Sequence, residues 1–153
     1  MAKRVAEFLK VSFEQFAEGY RDSFGECDEK LIREVYDSLK LPRRATRGSA
    51  GYDFFAPIDL SLEPGETVKI PTGIRVKIAT DWVLKCYPRS GLGFKYRLQL
   101  NNTVGIIDSD YYMSDNEGHI FAKITNDSKE GKSVNIPAGT GFIQGIFIEY
   151  GIT

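Results

Sequence analysis

Short segments rich in strand-forming residues, separated by turns that contain proline and glycine, fill the sequence from about residue 45 onward. The turns are Pro-Gly at 64–65, Pro-Thr-Gly at 71–73 and Pro-Ala-Gly at 137–139. The segments around them predict strands at 67–70, 74–78, 82–87 and 142–150. Short strands at this spacing are typical of a β sandwich or barrel. A doubly wound sheet with a nucleotide crevice requires alternating strands and helices, and this pattern does not alternate.

The first 42 residues carry a helical pattern instead. Ser12 followed by Gln15 fits a capping box, and the apolar residues after Ser12 share one helical face until Gly25 ends the helix. Asp28 is placed to cap a second amphipathic helix, which Pro42 ends. The apolar sides of two such short helices must be buried against another surface.

The length of 153 residues suits one compact core. We therefore expect a helical N-terminal extension, residues 1–42, packed on a β domain, residues 43–153. A partner-binding arm is the alternative role for the extension. The small residues at 48–51 either link the two parts or let the backbone pass close to another group.

The net charge limits the classes of binding partner, and the two cysteines indicate the cellular compartment. The net charge is −1 and the basic residues are scattered, so the sequence lacks the basic stripe that binds long nucleic acids. Cys27 and Cys86 match no zinc or redox spacing, which indicates reduced thiols in a cytoplasmic protein. The sequence shows neither a signal peptide nor a run of transmembrane length, so we expect no membrane partner.

Several catalytic mechanisms are poorly supported by the sequence. It contains no Walker loop, no His-Glu-x-x-His and no Cys-x-x-Cys motif. His119 is the only histidine, and no serine lies in a nucleophile elbow, so the sequence gives poor support to a Ser-His-Asp hydrolase. A lone histidine without a visible partner is more often structural than catalytic. A carboxylate is therefore the natural general base if the protein is an enzyme.

Two segments have compositions that suit a nucleotide. Segment 88–93, Pro-Arg-Ser-Gly-Leu-Gly, predicts a tight turn with exposed N–H groups, a charged fork and a hydroxyl donor. Such a turn suits an oligophosphate, although similar turns occur on surfaces without a ligand. Segment 104–111, Val-Gly-Ile-Ile-Asp-Ser-Asp-Tyr, predicts a hairpin that carries Asp108 and Asp110. On one strand these carboxylates would crowd each other, whereas a turn would separate them into different roles.

Four separated segments resemble those of the trimeric deoxyuridine triphosphatases in order and approximate spacing. They are 50–53, 88–92, 102–111 and 139–144, and the resemblance covers about residues 43–150. It implies a mainly β, jelly-roll-like β barrel of the dUTPase type, assembled as a homotrimer with active sites at subunit interfaces. It also implies hydrolysis of dUTP to dUMP and pyrophosphate, with Mg²⁺ held mainly through the substrate triphosphate and no protein metal ligand.

The resemblance assigns roles residue by residue. Asp108 would orient and deprotonate the attacking water, which suits the lack of another candidate base. Tyr111 would pack on the deoxyribose and leave no room for a 2′-hydroxyl, and Asp53 would support the Arg-Ser-Gly turn or a water on the metal. The phosphates would be held by Arg89, Ser90, Gly91 and Gln144, and the uracil by Asn102, Gly105, Ile106, Ile107 and Phe121.

The sequence also departs from the family pattern. Gly-Thr-Gly at 139–141 stands where the family usually has Gly-Asp-Arg, and the turn at 113–117 is longer than in many members. His119 stands where a glutamate is frequent, and the extension at 1–42 lies outside the common core. The sequence given ends at Thr153, before the Gly-rich tail that usually closes over the nucleotide, so we expect dUTP turnover to rise when such a tail is present.

Two other functions remain open from the sequence. The same fold with weak catalysis would suit a nucleotide-sensing or protein-binding module. A dCTP deaminase shares the fold and a similar Arg-Ser turn, but it needs a glutamate near the strand after the aspartate hairpin, where this chain offers only Glu117.

Overall fold

Strands dominate the computed structural model, which describes residues 3–153, so the prediction of a mainly β fold is confirmed. The strands are β1 Ala6–Lys10, β2 Arg43–Arg44, β3 Tyr52–Phe55, β4 Leu60–Leu62, β5 Thr67–Pro71, β6 Ile74–Ile78, β7 Trp82–Pro88, β8 Leu98–Leu100, β9 Gly105–Ile107, β10 Phe121–Asn126, β11 Val134–Ile136 and β12 Gly141–Glu149. The helices are α1 Phe13–Phe24, α2 Glu29–Ser38 and α3 Ser90–Tyr96, with a 3₁₀ helix at Ser109–Met113.

Across residues 3–153 the strands form four antiparallel sheets that surround one apolar core. The largest has the order β2-β3-β12-β7-β9, and the next has the order β5-β10-β8. Smaller sheets pair β11 with β4 and β1 with β6. Alternate residues of these strands point inward, as in β10, where Ala122, Ile124 and Asn126 are buried. This arrangement agrees with the predicted jelly-roll-like architecture.

The four strands predicted from the turn spacing are confirmed to within one residue at each end. The predicted 67–70, 74–78, 82–87 and 142–150 correspond to β5, β6, β7 and β12. Gly65, Gly73 and Gly139 in the intervening turns all have φ between 75° and 87°, in the left-handed region that glycine adopts without strain. These turns could be predicted from the sequence because proline and glycine determine the backbone conformation locally.

The extension contains both predicted helices but is not helical throughout. Ser12 caps α1 by accepting a hydrogen bond from the Gln15 N–H at 3.2 Å, and Gly25 ends it with φ 89°. The second helix, capped by Asp28, ends at Ser38 rather than at Pro42. Residues 6–10, which the helical interpretation of 1–42 included, form β1 and pair with β6. The prediction was wrong there because five residues are too few for an amphipathic helix, and the partner strand lies far along the chain.

The two helices bury their apolar sides as expected. Phe16 of α1 and Ile32 of α2 are fully buried in a small cluster beside the main core. Helix α1 also packs against β5. No helix within residues 3–153 has the length and apolar character needed to cross a membrane. Cys27 and Cys86 are free thiols, as predicted.

Candidate active site

A small pocket lies where β9 pairs with β7, beside the start of β10. Its volume is about 80 Å³. The wall includes all five residues predicted to hold the uracil, together with the buried Cys86. These five are Asn102, Gly105, Ile106, Ile107 and Phe121. Burial raises the pKa of the Cys86 thiol to about 12, so this thiol is protonated and unreactive at neutral pH.

The backbone segments around the pocket lie close to one another. A Cβ atom on Gly105 would lie 3.1 Å from Cβ of Cys86, so the strand pairing of β9 with β7 leaves little space for a side chain there. Thr103, beside Asn102, has φ 69°, which β-branched residues rarely adopt and which costs about 1–3 kcal/mol. Ile106 remains 56% exposed although it lines the pocket, so this wall is open on one side.

Asp108 and Asp110 lie at a turn, not on paired strands of a hairpin. The segment after β9 enters the 3₁₀ helix, so the predicted hairpin at 104–111 is wrong beyond Ile107. Asp108 is the residue that precedes this helix, and Asp110 lies in its first turn. Both side chains are exposed. The turn therefore separates the two carboxylates, which was one of the two outcomes left open by their spacing.

Tyr111 is held by its hydroxyl group. The ring packs against the main core, and the hydroxyl donates a hydrogen bond to the His119 carbonyl oxygen at 2.6 Å. The Asn116 side-chain amide donates to the same hydroxyl oxygen at 2.9 Å. The ring is thus fixed between the 3₁₀ helix and the segment that enters β10.

A polar cleft on the largest sheet collects most of the predicted phosphate-binding residues. Asp53, Arg89, Ser90 and Gln144 line its volume of about 350 Å³. Asp53 faces Gln144 across β3 and β12, and its Oδ1 lies 3.8 Å from Nε of Arg89. Opposite charges at this distance hold the guanidinium over the cleft. Asp53 is therefore placed to orient Arg89.

The predicted Arg-Ser-Gly turn is the first turn of a helix. Arg89 is the N-cap of α3, and Ser90 begins it. Two glycines disfavour a helix here by intrinsic propensity, which explains why the sequence predicted a turn. The first N–H groups of a helix have no partner within it, so the N–H-rich character expected of this segment is retained. Gly91 follows Ser90 and is exposed, but it does not line the cleft.

The small segment before β3 passes close to Gln144. A Cβ atom on Gly51 would collide with Oε1 of Gln144, so the Gln144 side chain could not keep this position beside a larger residue. Of the two roles left open for residues 48–51, close approach to another group is found at Gly51, whereas nothing lies within 4 Å of a Cβ atom placed on Gly48. Gln144 is thereby held with its amide toward the cleft.

Arg43 and Arg44 were not predicted as site residues. They line an adjoining groove of about 610 Å³ together with Arg89 and the Gly139–Gly141 segment. This is the segment where Gly-Thr-Gly replaces the usual Gly-Asp-Arg. The arginines at 43, 44 and 47, just before the first of the four segments, were the sequence signal for this basic wall.

The base pocket and the phosphate cleft lie on opposite faces of the same sheet. Ile143 lines the pocket and Gln144 lines the cleft, and consecutive residues of a strand point to opposite faces. The two regions are also separated along β7. Ile107 pairs with Leu84, and Arg89 lies five residues further along, which corresponds to about 17 Å. The backbone positions of Asp108 and Arg89 are therefore well separated within one chain.

His119 is a buried structural residue. Its Nε2 accepts a hydrogen bond from the Gly73 N–H at 2.9 Å, so Nδ1 carries the proton and donates to Oε1 of Gln15, also at 2.9 Å. Burial lowers the pKa of His119 to about 4, an effect that Glu117 opposes and Lys69 reinforces. The interpretation of this lone histidine as structural agrees with its position.

The neutral His119 makes stability depend on pH. Its folded-state pKa is about 4 and its ordinary value is 6.5, so the unfolded chain binds the extra proton between these values. The stabilisation is therefore complete above pH 6.5 and is lost as the pH falls toward 4. From about pH 7.5 to pH 5, we expect the free energy of unfolding of the wild type to fall by about 2 kcal/mol more than that of His119→Gln.

Urea unfolding at fixed protein concentration measures this difference. His119→Gln is the matched variant because glutamine cannot titrate and its amide oxygen can accept the Gly73 N–H. Equal losses of stability in both proteins would show that His119 titrates normally in the folded state.

No group of three or more histidine, cysteine, aspartate or glutamate side chains within residues 3–153 is arranged to hold a metal ion. Mg²⁺ is often bound by one or two carboxylates together with substrate phosphates, and it keeps several waters. In the polar cleft, Asp53 is the single carboxylate that could take part in such a site.

Comparisons with known proteins agree on one family. The dUTPase family model matches residues 37–152. Deoxyuridine 5'-triphosphate nucleotidohydrolase of Lactococcus lactis is 42% identical over 113 residues, 73% of this chain and 74% of the relative. The enzyme of the same name from Serratia proteamaculans is 42% identical over 125 residues, 79% of this chain and 78% of the relative. The crystal structure of dUTPase from Streptococcus mutans superposes with a TM-score of 0.67 at 31% identity and covers 95% of this chain and 97% of that one.

Proposed function

Because this chain belongs to the dUTPase family, we propose that it hydrolyses dUTP to dUMP and pyrophosphate. The observation that carries this proposal is the grouping of the predicted residues into two sites of different chemistry. One is a small pocket with backbone groups and isoleucines, suited to a base, and the other is a polar cleft with Arg89 and Gln144, suited to phosphates.

The base pocket selects uracil by shape and by hydrogen bonding. Asn102 and the backbone of Ile106, Ile107 and Phe121 meet the polar edge of the base, and the pocket volume of about 80 Å³ limits its size. A methyl group on the base is excluded by the lack of space. A base with the wrong donors leaves buried polar groups unpaired, which is a larger penalty than a lost methyl contact. Tyr111 packs on the deoxyribose.

Asp108 activates the attacking water, and the polar cleft stabilises the leaving group. The Asp108 carboxylate is exposed at the end of β9, where it accepts the proton of a water aimed at the α-phosphate. Arg89, Ser90 and Gln144 of the cleft, with the adjoining Gly91 at the start of α3, bind the phosphate oxygens and stabilise the charge that builds on pyrophosphate. Asp53 holds Arg89 in place. Mg²⁺, carried by the triphosphate, neutralises part of its charge when bound.

The two halves of each active site come from different subunits of a homotrimer. One chain places its pocket and its cleft on opposite faces of a sheet, so no single chain offers both to one nucleotide. A symmetric ring brings the pocket of one subunit to the cleft of the next. The 56% exposure of Ile106 and the 96% exposure of Phe94 in α3 fit apolar surface that a neighbour covers. The free cysteines fit a cytoplasmic location.

The deaminase alternative loses its required glutamate. The Glu117 carboxylate accepts hydrogen bonds from the backbone N–H and the hydroxyl of Ser12 at 2.8 and 2.6 Å, so it is engaged away from the base pocket. Release of ammonia from dCTP would nevertheless support the deaminase function. Only a measurement of hydrolytic activity distinguishes a sensing module from a dUTP-hydrolysing enzyme.

Pyrophosphate release from dUTP, dCTP, dTTP and UTP in the presence of Mg²⁺ tests the proposal. We expect release from dUTP at a kcat/KM at least about 100-fold above that for each other nucleotide. Binding of dUTP without release would support a sensing module and overturn the proposed activity.

A further inference from the structure

Two features that depart from the common family pattern contact each other. One is the N-terminal extension, whose residues before 37 lie outside the family match. The other is the long turn at 113–117. The Glu117 carboxylate of this turn accepts hydrogen bonds from the N–H of Ser12 at 2.8 Å and from its hydroxyl at 2.6 Å. The sequence predicted that Gln15 would complete a capping box with Ser12, but Glu117, 105 residues away, takes that place.

Gln15 makes a second connection between the same two elements. Because Glu117 occupies the Ser12 N–H, the Gln15 side chain is directed to His119 and accepts its Nδ1 proton at 2.9 Å. Ser12 and Gln15 of the α1 start are thus joined to Glu117 and His119, two residues apart. Burial raises the pKa of Glu117, but the two hydrogen bonds from Ser12 and the nearby positive charge of Arg75 lower it, and the net shift is downward. The carboxylate is therefore ionised and the connection intact at neutral pH.

The segment held in this way is the segment that positions Tyr111. Its hydroxyl donates to the carbonyl oxygen of His119 at 2.6 Å and accepts from the side chain of Asn116 at 2.9 Å. Gly118 packs so closely on the same turn that a Cβ atom there would lie 2.7 Å from the Tyr111 carbonyl oxygen. Any shift of residues 116–119 is therefore passed to the tyrosine ring.

We propose that Glu117 is a positioning residue for Tyr111, and that the N-terminal extension sets the discrimination between deoxyribose and ribose through it. This rests on the proposed function, in which Tyr111 packs on the sugar and excludes a 2′-hydroxyl. A ring displaced by a fraction of an ångström leaves room for that hydroxyl. Loss of the connection therefore raises the relative activity on UTP, whereas a merely structural extension affects both nucleotides equally.

Glu117→Ala and Glu117→Gln form a matched pair for the test. Residue 117 has φ 61°, so both replacements experience the same backbone strain. Glutamine can still accept the Ser12 N–H and donate to the Ser12 hydroxyl, whereas alanine can do neither. We expect Glu117→Ala to lower the ratio of kcat/KM for dUTP to kcat/KM for UTP by about tenfold or more, and Glu117→Gln to stay within about twofold of the wild type.

Two further variants separate this role from general stability. Ser12→Ala removes the hydroxyl contact to Glu117 together with the hydroxyl cap of α1 but keeps the backbone N–H contact, and it is expected to lower the ratio in the same direction by a smaller factor. Glu26→Gln weakens the exposed contact of Glu26 with Arg21 of α1 at 3.5 Å, which involves no residue of 116–119, and is expected to leave the ratio unchanged. Equal ratios in Glu117→Ala and Glu117→Gln, or a fall in the ratio for Glu26→Gln, would overturn the proposal.

Amide hydrogen exchange tests the positioning independently of catalysis. We expect residues 109–119 to exchange faster in Glu117→Ala than in Glu117→Gln, and faster in Ser12→Ala than in the wild type if Glu117→Ala does not fold. Unchanged exchange would reject the connection even if the wild type hydrolyses dUTP normally. Conversely, a wild type that does not hydrolyse dUTP would reject the proposed function while this measurement still judges the connection.

Discussion

Replacing Asp108 by asparagine is expected to lower kcat for dUTP hydrolysis by about 1,000-fold while the affinity for the nucleotide changes only a few-fold. Asparagine keeps the size of the side chain at the end of β9 but cannot accept the proton of the attacking water. The base pocket and the phosphate cleft contain other residues, so substrate binding persists.

Single-turnover hydrolysis and titration with a non-hydrolysable dUTP analogue measure the two effects separately. Asp110→Asn is the matched control, because Asp110 lies in the adjacent 3₁₀ helix with the same exposure but has no assigned role. A variant at Asp108 that retains the wild-type kcat would remove this residue from the mechanism. A similar loss at Asp110 would assign the effect to the charge of the turn.

Two inactive variants are expected to restore activity when they assemble in one trimer. Asp108→Asn damages the half of the site that contains the base pocket, and Arg89→Ala damages the half that contains the cleft. If each site takes its halves from neighbouring subunits, every trimer with both variants has one complete site. Purified mixed trimers should then show about one third of the wild-type activity.

Co-expression of the two variants with different affinity tags, followed by purification on both tags, gives these mixed trimers. The pair Asp108→Asn and Asn102→Ala is the control, since both changes lie in the same half and no arrangement gives a complete site. No gain above the separate variants in the first pair would show that one chain supplies the whole site. A gain of activity in the control pair would show instead that the activity arises from exchange of material between the preparations or from residual activity of the variants.

Local signals made much of the β scaffold predictable. Proline and glycine in the turns bounded β5, β6, β7 and β12 to within one residue, and side-chain caps at Ser12 and Asp28 marked the starts of α1 and α2. These signals act within a few residues and need no knowledge of the partner strand. Strand β1 lacked such a signal, because its conformation depends on pairing with a strand more than sixty residues away.

The sequence offered candidate site residues but no indication of how they are arranged. The resemblance of four segments named Asp108, Arg89 and Gln144, yet the separation of the pocket from the cleft became visible only in the register of β7 and β12. Contacts such as Glu117 with Ser12 join residues 105 apart and leave no periodic pattern in the sequence. The helix that begins at Ser90 could not be predicted for a different reason. Its glycines disfavour a helix, and the surrounding fold imposes one.

The pairing of β1 with β6 has a consequence for solubility. The hydrogen-bonding edge of β6, with Ile74, Val76 and Ile78 on its buried side, is occupied by residues Ala6–Lys10. An unoccupied edge of this kind is a template for strands of other chains and promotes aggregation. Since β1 lies outside the part matched by the family model, the extension itself shields this edge of the shared fold from edge-to-edge association.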